Sequence, residues 1–457
     1  MVGVSALPGV SVVSLGGQPV PPGVYAPPFP AALQTGELVV DANGPRARTN
    51  AASTGDLVGI DAVRAAADRL AGVIHLTPVQ RSRAVSEQVG AEVWLKCENL
   101  QRTGSFKLRG AYNRIAQLTE EERARGVVCA SAGNHAQGVA LAAALQGVTS
   151  TVFMPTEAPL PKLDATLGYG AEVRTVGDSF DDAMAAARTF TDDTDGVFVH
   201  PFDHPDVIAG QGTLGLELVE QVPSFATVVV CLGGGGLLSG VAVALRALRP
   251  DVRIVGVQAA GCASFAPSLE AGHPLTLPTT STIADGIAVK RPGELTLAHV
   301  QALVDDVVTV TDDELASAVV LLLERAKLVV EPAGAAAVAA LLAGRVQGPG
   351  PIVATLSGGN IDPLVLQHLV TGGLASVGRY ATLRTRVNDT PGALSRLLSL
   401  VAAQRANVVG VAHHRLEHRL ELGQVEVVLE LETRGRQHVA DLARTLEAEG
   451  YPVSGAD

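Results

Sequence analysis

Residues 93–111 read VWLKCENLQRTGSFKLRGA, and this stretch sets the fold class of the chain. Its first four residues predict a buried strand, and residues 108–117 have the apolar spacing of a helix. Strands alternate with helices along the chain, and the further strands are predicted at 126–130, 151–154, 172–176, 227–232, 253–258 and 352–356. This alternation indicates βαβ units and a parallel sheet. We therefore expect an α/β fold whose ligands lie beyond the carboxyl ends of the strands.

The composition agrees with such a sheet and limits the function. The chain has 457 residues, of which 47% are hydrophobic, 18% charged and 3% aromatic, so Ala, Val, Leu and Gly must form the interior. A single core stops growing at roughly 250 to 300 residues, so we expect at least two domains. The net charge of −12 argues against a nucleic-acid partner, because that binding depends on clustered Lys and Arg.

Several features predict a cytoplasmic protein without a membrane span. The four cysteines lie far apart and form no CxxC pair, which is typical of reduced core residues: Cys97, Cys129, Cys231 and Cys262. The most apolar long stretch, 327–344, is interrupted by charged and helix-breaking residues. Residues 1–35 contain no Lys or Arg and several prolines, so residues 1–55 are expected to be a flexible tail or to follow from a misassigned start.

The pattern changes after a Gly-rich segment, which predicts a linker at 371–379. Beyond it come a strand, a helix, two strands and a second helix, at 380–387, 392–404, 407–415, 424–432 and 438–449, with a short last strand near residue 453. This order predicts a ferredoxin-like domain at 380–457.

Lys107 begins a predicted helix, which is an unusual position for a lysine. The positive end of the helix dipole repels an ammonium group, so this position lowers the lysine pKa and favours the neutral amine. A Schiff-base lysine requires that neutral form. From this loop alone, a solvated lysine is an equally good interpretation, and Ser105 serves as N-cap in either case.

The second loop, SAGNHAQG at 131–138, also joins a strand to a helix. Its small residues allow backbone N–H groups to approach a ligand carboxylate at the helix N-terminus, and Asn134 adds a side-chain donor. A plain N-cap role for Asn134 is the alternative. His135 is interpreted as a structural histidine.

Four glycines follow the strand at 227–232. Their unshielded N–H groups and their access to positive φ allow the turn to form an anion-binding nest. The turn lacks the Lys-Ser/Thr of a P-loop and the GxGxxG spacing, so the pattern predicts a phosphate but no dinucleotide. The loop SGGN at 357–360, after the strand at 352–356, is by itself a turn. Next to a lysine and a phosphate loop, its Ser357 supplies a hydroxyl suited to a cofactor ring nitrogen.

In this chain order the loops resemble the β-replacement and β-elimination (fold type II, tryptophan synthase β-like) enzymes that use pyridoxal 5′-phosphate (PLP). Within that group, the motifs SFKLRGA, SAGNHAQG, GGGGL, ADGIAV, EPAGA and SGGN are similar to those of the threonine dehydratases, also called threonine ammonia-lyases. The resemblance implies PLP as cofactor. It also implies a catalytic domain at 56–370, with a small subdomain at about 98–203 inserted into a larger one.

The resemblance further implies roles for the cofactor-binding residues. Lys107 would form the Schiff base next to Phe106. Asn134 would face the phenolic oxygen of PLP, and Ser357 would face its pyridine nitrogen. The phosphate would be held by Gly233, Gly234, Gly235, Gly236 and Leu237.

The resemblance also places the substrate. Its carboxylate would lie against Ser131, Ala132, Gly133 and Asn134, with Gly286 nearby. Glu331 is a neighbouring candidate whose role stays open, and an ordinary helix-start carboxylate is the alternative. No metal is expected, because Gln258 stands where related enzymes have an acidic metal ligand.

The C-terminal motifs NDTPGAL at 388–394, NVVGV at 407–411 and LETRG at 431–435 resemble the ACT domain of single-ACT threonine dehydratases. Such domains bind amino acids at a paired interface. The turn at 391–394 has free N–H groups that suit an effector carboxylate. The resemblance therefore implies an allosteric homodimer or homotetramer, with pure dimerisation as the alternative.

The implied reaction is β-elimination of water from L-threonine to give 2-oxobutanoate and ammonia, a step toward isoleucine biosynthesis or in threonine catabolism. Racemases of this fold carry a serine where this chain has Ala132, which disfavours racemisation. L-Serine dehydration to pyruvate is an alternative, since one methyl group is worth only about 1 to 3 kcal/mol in a pocket. A catalytically inactive amino-acid sensor is a second alternative, which the intact Lys107 disfavours.

Overall fold

The computed structural model describes residues 57–348, 350–376, 378–415 and 423–455. The tail expected at 1–55 lies outside these residues. The described chain forms a six-stranded sheet and two four-stranded sheets. Two of them are α/β sheets and the third is an antiparallel C-terminal sheet, which confirms the predicted fold class. None of the helices in these ranges has both the length and the apolar character that a membrane span requires.

The six-stranded sheet is parallel except at one edge. Its order is β1-β2-β10-β7-β8-β9, and β1 runs antiparallel to β2. Its strands are β1 (Val79–Arg81), β2 (Val93–Cys97), β7 (Thr227–Cys231), β8 (Arg253–Ala259), β9 (Asp306–Val310) and β10 (Ile352–Leu356). Every residue of β7 and β10 is buried, because helices cover both faces of the sheet.

The small parallel sheet has the order β5-β4-β3-β6. Its strands are β3 (Val127–Ala130), β4 (Ser150–Met154), β5 (Glu172–Thr175) and β6 (Val197–Phe198). All four come between β2 and β7 in the chain, within the range 98–203 that the sequence analysis proposed for an inserted subdomain.

Helices surround both parallel sheets. They are α1 (Ile60–Leu70), α2 (Arg83–Val89), α3 (Lys107–Ile115), α4 (Glu120–Arg125), α5 (Asn134–Gln146), α6 (Leu160–Gly168), α7 (Phe180–Thr194), α8 (Pro205–Gln221), α9 (Gly236–Leu248), α10 (Phe265–Ala271), α11 (Glu294–Leu303), α12 (Asp312–Leu321), α13 (Pro332–Leu342) and α14 (Pro363–Ser376). The apolar stretch at 327–344 contributes α13, whose alanines are buried in the main hydrophobic core.

The predicted linker at 371–379 is wrong for most of its length, because α14 continues to Ser376. Gly373 explains why a Gly-rich segment is helical here. A Cβ on Gly373 would lie 2.8 Å from a methyl carbon of Val320, so the missing side chain lets α14 approach α12. The glycine therefore serves close helix packing, and Gly378 and Arg379 are the described residues between α14 and the next strand.

The C-terminal sheet is antiparallel, with the order β12-β13-β11-β14. Its elements are β11 (Tyr380–Asn388), α15 (Ala393–Ala403), β12 (Asn407–His414), β13 (Gln424–Glu432), α16 (Arg436–Ala448) and β14 (Val453–Ser454). Residues of β11 and β13 alternate between buried and more exposed positions, as expected when helices cover one face. The βαββαβ order is ferredoxin-like.

A buried ion cluster connects β2, α3 and α8. The side chain of Arg109 is 0% exposed and makes five hydrogen bonds. It donates to Glu98 at 2.7 and 2.8 Å, to Glu217 at 2.6 and 2.9 Å, and to Thr213 at 3.0 Å. Lys96, also fully buried, donates to Glu217 at 2.5 Å. Two cations and two carboxylates thus balance inside the protein, which is the condition for keeping charges there.

The ionisation of Glu98 depends on this pairing. Burial alone would raise the pKa of this carboxyl, but Arg109, Lys96 and the hydrogen bond from Thr77 together outweigh burial and hold the pKa below its ordinary value. The stabilisation from the ionised carboxylate is present above the pKa of the unfolded chain and is lost as the pH falls through the lower folded pKa.

We expect Glu98→Gln to lower the free energy of unfolding by about 3 to 5 kcal/mol at pH 7, because it leaves Arg109 partly unpaired in the core. Urea unfolding followed by circular dichroism measures this change. The control is Glu92→Gln, which breaks the surface pair with Arg81 at 3.6 Å and should cost less than about 1 kcal/mol. If both variants lost the same free energy of unfolding, the buried cluster would not contribute more to stability than a surface pair.

Candidate active site

Lys107 is the first residue of α3, and its half-buried side chain reaches the loop after β6. Its Nζ donates to the carbonyl of Pro201 at 2.9 Å and lies 5.2 Å from the centre of the Phe106 ring. Burial lowers the pKa of Lys107 to about 8, while Cys231 and Glu331 act in the opposite direction. The predicted position at a helix start is confirmed, but burial is the main cause of the lowered pKa.

The loop of glycines between β7 and α9 is fully buried. Among the described residues, the backbone N–H groups of Gly233, Gly234 and Gly235 have no hydrogen-bond partner. Buried N–H groups almost always have a partner, so this loop is suited to hold an anion. Gly235 has φ of 97°, and its Cβ would lie 2.8 Å from the Phe265 ring and from Thr296, so a larger residue does not fit.

The loop at 131–138 presents the start of α5 to the same cleft. Asn134 is the first residue of this helix and Gly133 is its N-cap, so the plain N-cap alternative for Asn134 is wrong. The Ser131 hydroxyl accepts from the Gly133 N–H at 3.1 Å, so that N–H is used within the loop. Ala132 is half-buried beside it. The remaining N–H groups at the helix start are suited to a carboxylate.

His135 has a structural environment. It is buried, its Nε2 lies 2.8 Å from the Val199 carbonyl oxygen, and burial lowers its pKa to about 3. A neutral imidazole with one backbone partner agrees with the structural interpretation.

Asn134 and Glu331 meet across the cleft. The Asn134 amide donates to Glu331 Oε1 at 2.6 Å. Burial and then the Asp285 carboxylate raise the pKa of Glu331 to about 7. The hydrogen bond from Asn134 and the nearby cations Lys162 and Lys107 oppose that increase. Glu331 is thus a buried carboxyl beside the candidate lysine, and the interpretation as an ordinary helix-start carboxylate does not describe it.

Ser357 follows β10 and lies next to β7. Its hydroxyl accepts from the thiol of Cys231 at 3.2 Å, and its carbonyl accepts from the Phe106 N–H at 3.1 Å. Burial raises the pKa of Cys231 to about 11, so this thiol is a neutral donor. These contacts place Ser357 next to Phe106 and Cys231, in the neighbourhood of Lys107.

Gly286 also borders this cleft, in a short turn after β8 and α10. A Cβ on Gly286 would lie 2.9 Å from Ala333 Cβ and 3.6 Å from Glu331 Oε1. Only glycine fits between them. Gln258 is buried and accepts from the Phe265 N–H at 3.0 Å, so its amide shapes the loop after β8.

Comparison with protein families agrees with this arrangement. The family model described as pyridoxal-phosphate dependent enzyme matches residues 70–358.

The chain belongs to this family of PLP-dependent enzymes.

Curated relatives of this PLP-dependent enzyme cover most of its length. The L-threonine ammonia-lyase of Thermotoga maritima is 48% identical over 398 residues, which is 87% of this chain and 99% of the relative. The catabolic L-threonine dehydratase TdcB of Escherichia coli K12 is 46% identical over 308 residues, or 67% of this chain and 94% of the relative. The first of these alignments exceeds residues 1–370 in length, so the similarity includes part of the C-terminal domain.

Solved structures give the same picture. A threonine deaminase from T.th. is 40% identical with a TM-score of 0.64, covering 66% of this chain and 99% of that protein. Maize serine racemase is 38% identical with a TM-score of 0.65, covering 68% of this chain and 98% of that protein.

The cleft of this PLP-dependent enzyme fits its cofactor. The three unpartnered N–H groups after β7 suit a phosphate, and the Lys107 amine has the lowered pKa that covalent attachment requires. The Ser357 hydroxyl is a neutral partner for a ring nitrogen.

Sequence reasoning missed three contributors to this cleft, which contact Ser357, Asn134 and Lys107 respectively: Cys231, Asn360 and Pro201. Asn360 stands in the SGGN motif, where only Ser357 received a role, so the signal was present. Cys231 ends the strand before the glycine loop, and its position next to the candidate site was likewise readable. The contact of Lys107 with Pro201 joins residues that are 94 positions apart and follows only from the fold.

We expect the rate of covalent attachment of PLP to the apoprotein to rise with pH up to about 8 and then to level off, because only the neutral Lys107 amine attacks the aldehyde. An exposed lysine would continue to gain reactivity to about pH 10.4. Stopped-flow absorbance at a series of pH values measures this rate, and Lys107→Arg provides the blank. A rate that keeps rising beyond about pH 10 would contradict the lowered pKa.

Proposed function

We propose that this protein is an L-threonine ammonia-lyase, which converts L-threonine to 2-oxobutanoate and ammonia. One observation carries the proposal. A lysine with a lowered pKa shares a cleft with a phosphate-type glycine loop and a carboxylate-type helix start, in a chain 48% identical to an L-threonine ammonia-lyase. The reaction is β-elimination of water, after which the released enamine tautomerises and is hydrolysed, so that one water is taken up again and ammonia leaves.

Four side chains in the cleft receive a role in this proposal. Bound PLP withdraws electrons from the substrate α-carbon. The neutral amine of Lys107 removes the α-proton, and the start of α5 with Ser131 and Asn134 binds the substrate carboxylate. Ser357 would hold the cofactor ring nitrogen through a neutral hydroxyl, which stabilises a protonated ring less than a carboxylate does. This choice of partner would favour elimination over transamination.

Ala132 supports a lyase over a racemase. Racemisation needs a second proton donor on the face of the substrate opposite Lys107, and a methyl group has no proton to give. The similarity to maize serine racemase therefore reflects shared fold and cofactor binding in this proposal.

The C-terminal domain is proposed to bind an amino-acid effector. A cavity of about 360 Å³ is lined by residues 387–394 together with His413 and Arg415. Gly392 has φ of 85° and is the N-cap of α15, and the first turn of this helix is suited to a carboxylate. Arg415 pairs with Asp389 at 3.1 Å, so the cavity offers a cation and an anion to the two charged groups of an amino acid.

We further propose a cytoplasmic homodimer or homotetramer. The four cysteines are buried and free, in keeping with a reducing compartment. A single ACT domain requires a partner domain to complete a paired effector interface.

The wild-type protein with PLP is expected to form 2-oxo acid from L-threonine, and Lys107→Ala should abolish this turnover. Steady-state assays with L-threonine and L-serine measure kcat/KM for each. Matched Lys162→Ala retains the candidate Schiff-base lysine and tests whether loss of any cleft cation has the same effect. A higher kcat/KM for L-serine would replace the proposal with L-serine dehydratase. If the wild type turned over neither amino acid, the interpretation as a catalytically inactive sensor would remain.

Asp389→Asn and Arg415→Ala are each expected to raise the isoleucine or valine concentration needed for a half-maximal effect by roughly tenfold, the weight of one charged hydrogen bond. Threonine turnover against effector concentration measures the shift. The control is Arg384→Ala, which removes a pair with Glu426 on the same sheet and should keep the response. If neither amino acid affects the wild type, the pure dimerisation alternative replaces effector binding.

A further inference from the structure

Two side chains from loops next to the six-stranded sheet form hydrogen bonds with the side-chain amide of Asn134, one at its oxygen and one at its nitrogen. Asn360, in the loop after β10, donates through Nδ2 to Asn134 Oδ1 at 2.8 Å. Asn134 Nδ2 in turn donates to Glu331 Oε1, just before α13, at 2.6 Å. Both ends of one amide are therefore engaged, although Asn134 itself belongs to the small subdomain.

A backbone carbonyl fixes the direction of this chain of hydrogen bonds. Asn360 Nδ2 also donates to the Thr103 carbonyl at 2.7 Å, and a carbonyl can only accept. The atom of Asn134 that faces Asn360 must then be its oxygen, so its nitrogen faces Glu331. Rotating the Asn134 amide by 180° would place nitrogen against nitrogen at Asn360, and it would turn the amide oxygen toward Glu331, whose ionised carboxylate has no hydrogen to donate.

Glycines make room for both supporting side chains. Gly104 has φ of 69°, and a Cβ on it would overlap Asn360 Oδ1. A Cβ on Gly358 would overlap Glu331 Oε1, and the Gly358 carbonyl accepts from the Glu331 N–H at 3.1 Å. The missing side chains of Gly104 and Gly358 thus leave room for Asn360 and Glu331, respectively.

An amide nitrogen carries two hydrogens, and only one of them is used by Glu331. We infer that Asn360 and Glu331 are positioning residues that clamp the Asn134 amide and direct its second N–H toward the phenolic oxygen of the cofactor. This inference rests on the proposed role of Asn134 as a cofactor contact. It assigns a role to Glu331, and it gives Asn360 a role beyond that of a turn residue.

The clamp also accounts for the buried carboxyl. Glu331 is 4% exposed, and a carboxyl at such a position needs a hydrogen-bond donor. Asn134 supplies it. A glutamine at this position keeps an oxygen acceptor at the same place, whereas alanine removes it, so the two substitutions separate the hydrogen bond from the charge.

The test is a set of double-mutant cycles on PLP binding. The apoproteins of Asn134→Ala, Glu331→Ala and Asn360→Ala should each bind PLP roughly tenfold more weakly, with a shifted absorbance band. The doubles that combine Asn134→Ala with either other change should bind no more weakly than Asn134→Ala alone, since the clamp acts only through Asn134. Glu331→Gln should retain the wild-type dissociation constant and band. Fluorescence titration gives the constants, and thermal unfolding of each apoprotein reports folding separately.

Two matched controls accompany the cycles: Glu314→Gln and Asn407→Ala, which change a surface carboxyl and a surface amide away from the cleft. Both should leave PLP binding unchanged. Asn360→Asp, which keeps the size but puts a carboxylate against two oxygens, replaces Asn360→Ala if that variant does not fold, and it should weaken binding at least as much.

Doubles whose losses equal the product of the single losses would overturn the clamp, as would wild-type binding and band in Asn360→Ala. If Asn134→Ala itself bound PLP normally while the wild type turned over threonine, the cofactor contact and with it the clamp would be wrong, and the ammonia-lyase assignment would stand. Failure of the wild type to bind PLP would overturn the proposed function itself.

Discussion

The fully buried guanidinium of Arg109 is the constraint on which the position of Lys107 depends. Arg109 follows the lysine in the first turn of α3 and uses five hydrogen bonds to fix this helix against β2 and α8. A buried charge tolerates little displacement, because any movement exposes it without a partner in a medium of low polarity. The start of α3, and the amine that it carries, are therefore fixed by a contact that faces away from the cleft.

Much of the fold could be predicted from sequence because the parallel strands are buried on both faces. The run at 352–356 becomes β10 with the same bounds, and the strand at 227–232 differs from β7 by one residue. Helix starts were less accurate: α5 begins at Asn134, inside the predicted loop at 131–138, because its first turn is made of loop-type residues. Composition also misled at 371–379, where glycine marks close helix packing.

The candidate site divides in the same way. Lys107, the glycine loop and Ser357 could be predicted as site residues because each follows a strand, and the carboxyl ends of parallel strands lie at one edge of the sheet. Cys231 and Asn360 also stand next to predicted motifs, but their contacts with Ser357 and Asn134 follow only from the packing of β7, β10 and α5. A single sequence gives the positions of loops along the chain, whereas the pairs of side chains across the cleft depend on the packing of two subdomains.

The lowered pKa of Lys107 has a consequence for selectivity. A partly neutral amine near pH 7 is a nucleophile toward any aldehyde that enters the cleft, so the lysine itself does not choose among them. In the proposed role of the glycine loop, discrimination falls to the buried N–H groups after β7, which suit an anion and disfavour an apolar tail. The reactive amine and the groups that recognise the ligand are thus separate. An aldehyde without a phosphate would meet the amine of Lys107 but would make no contact that uses the glycine loop.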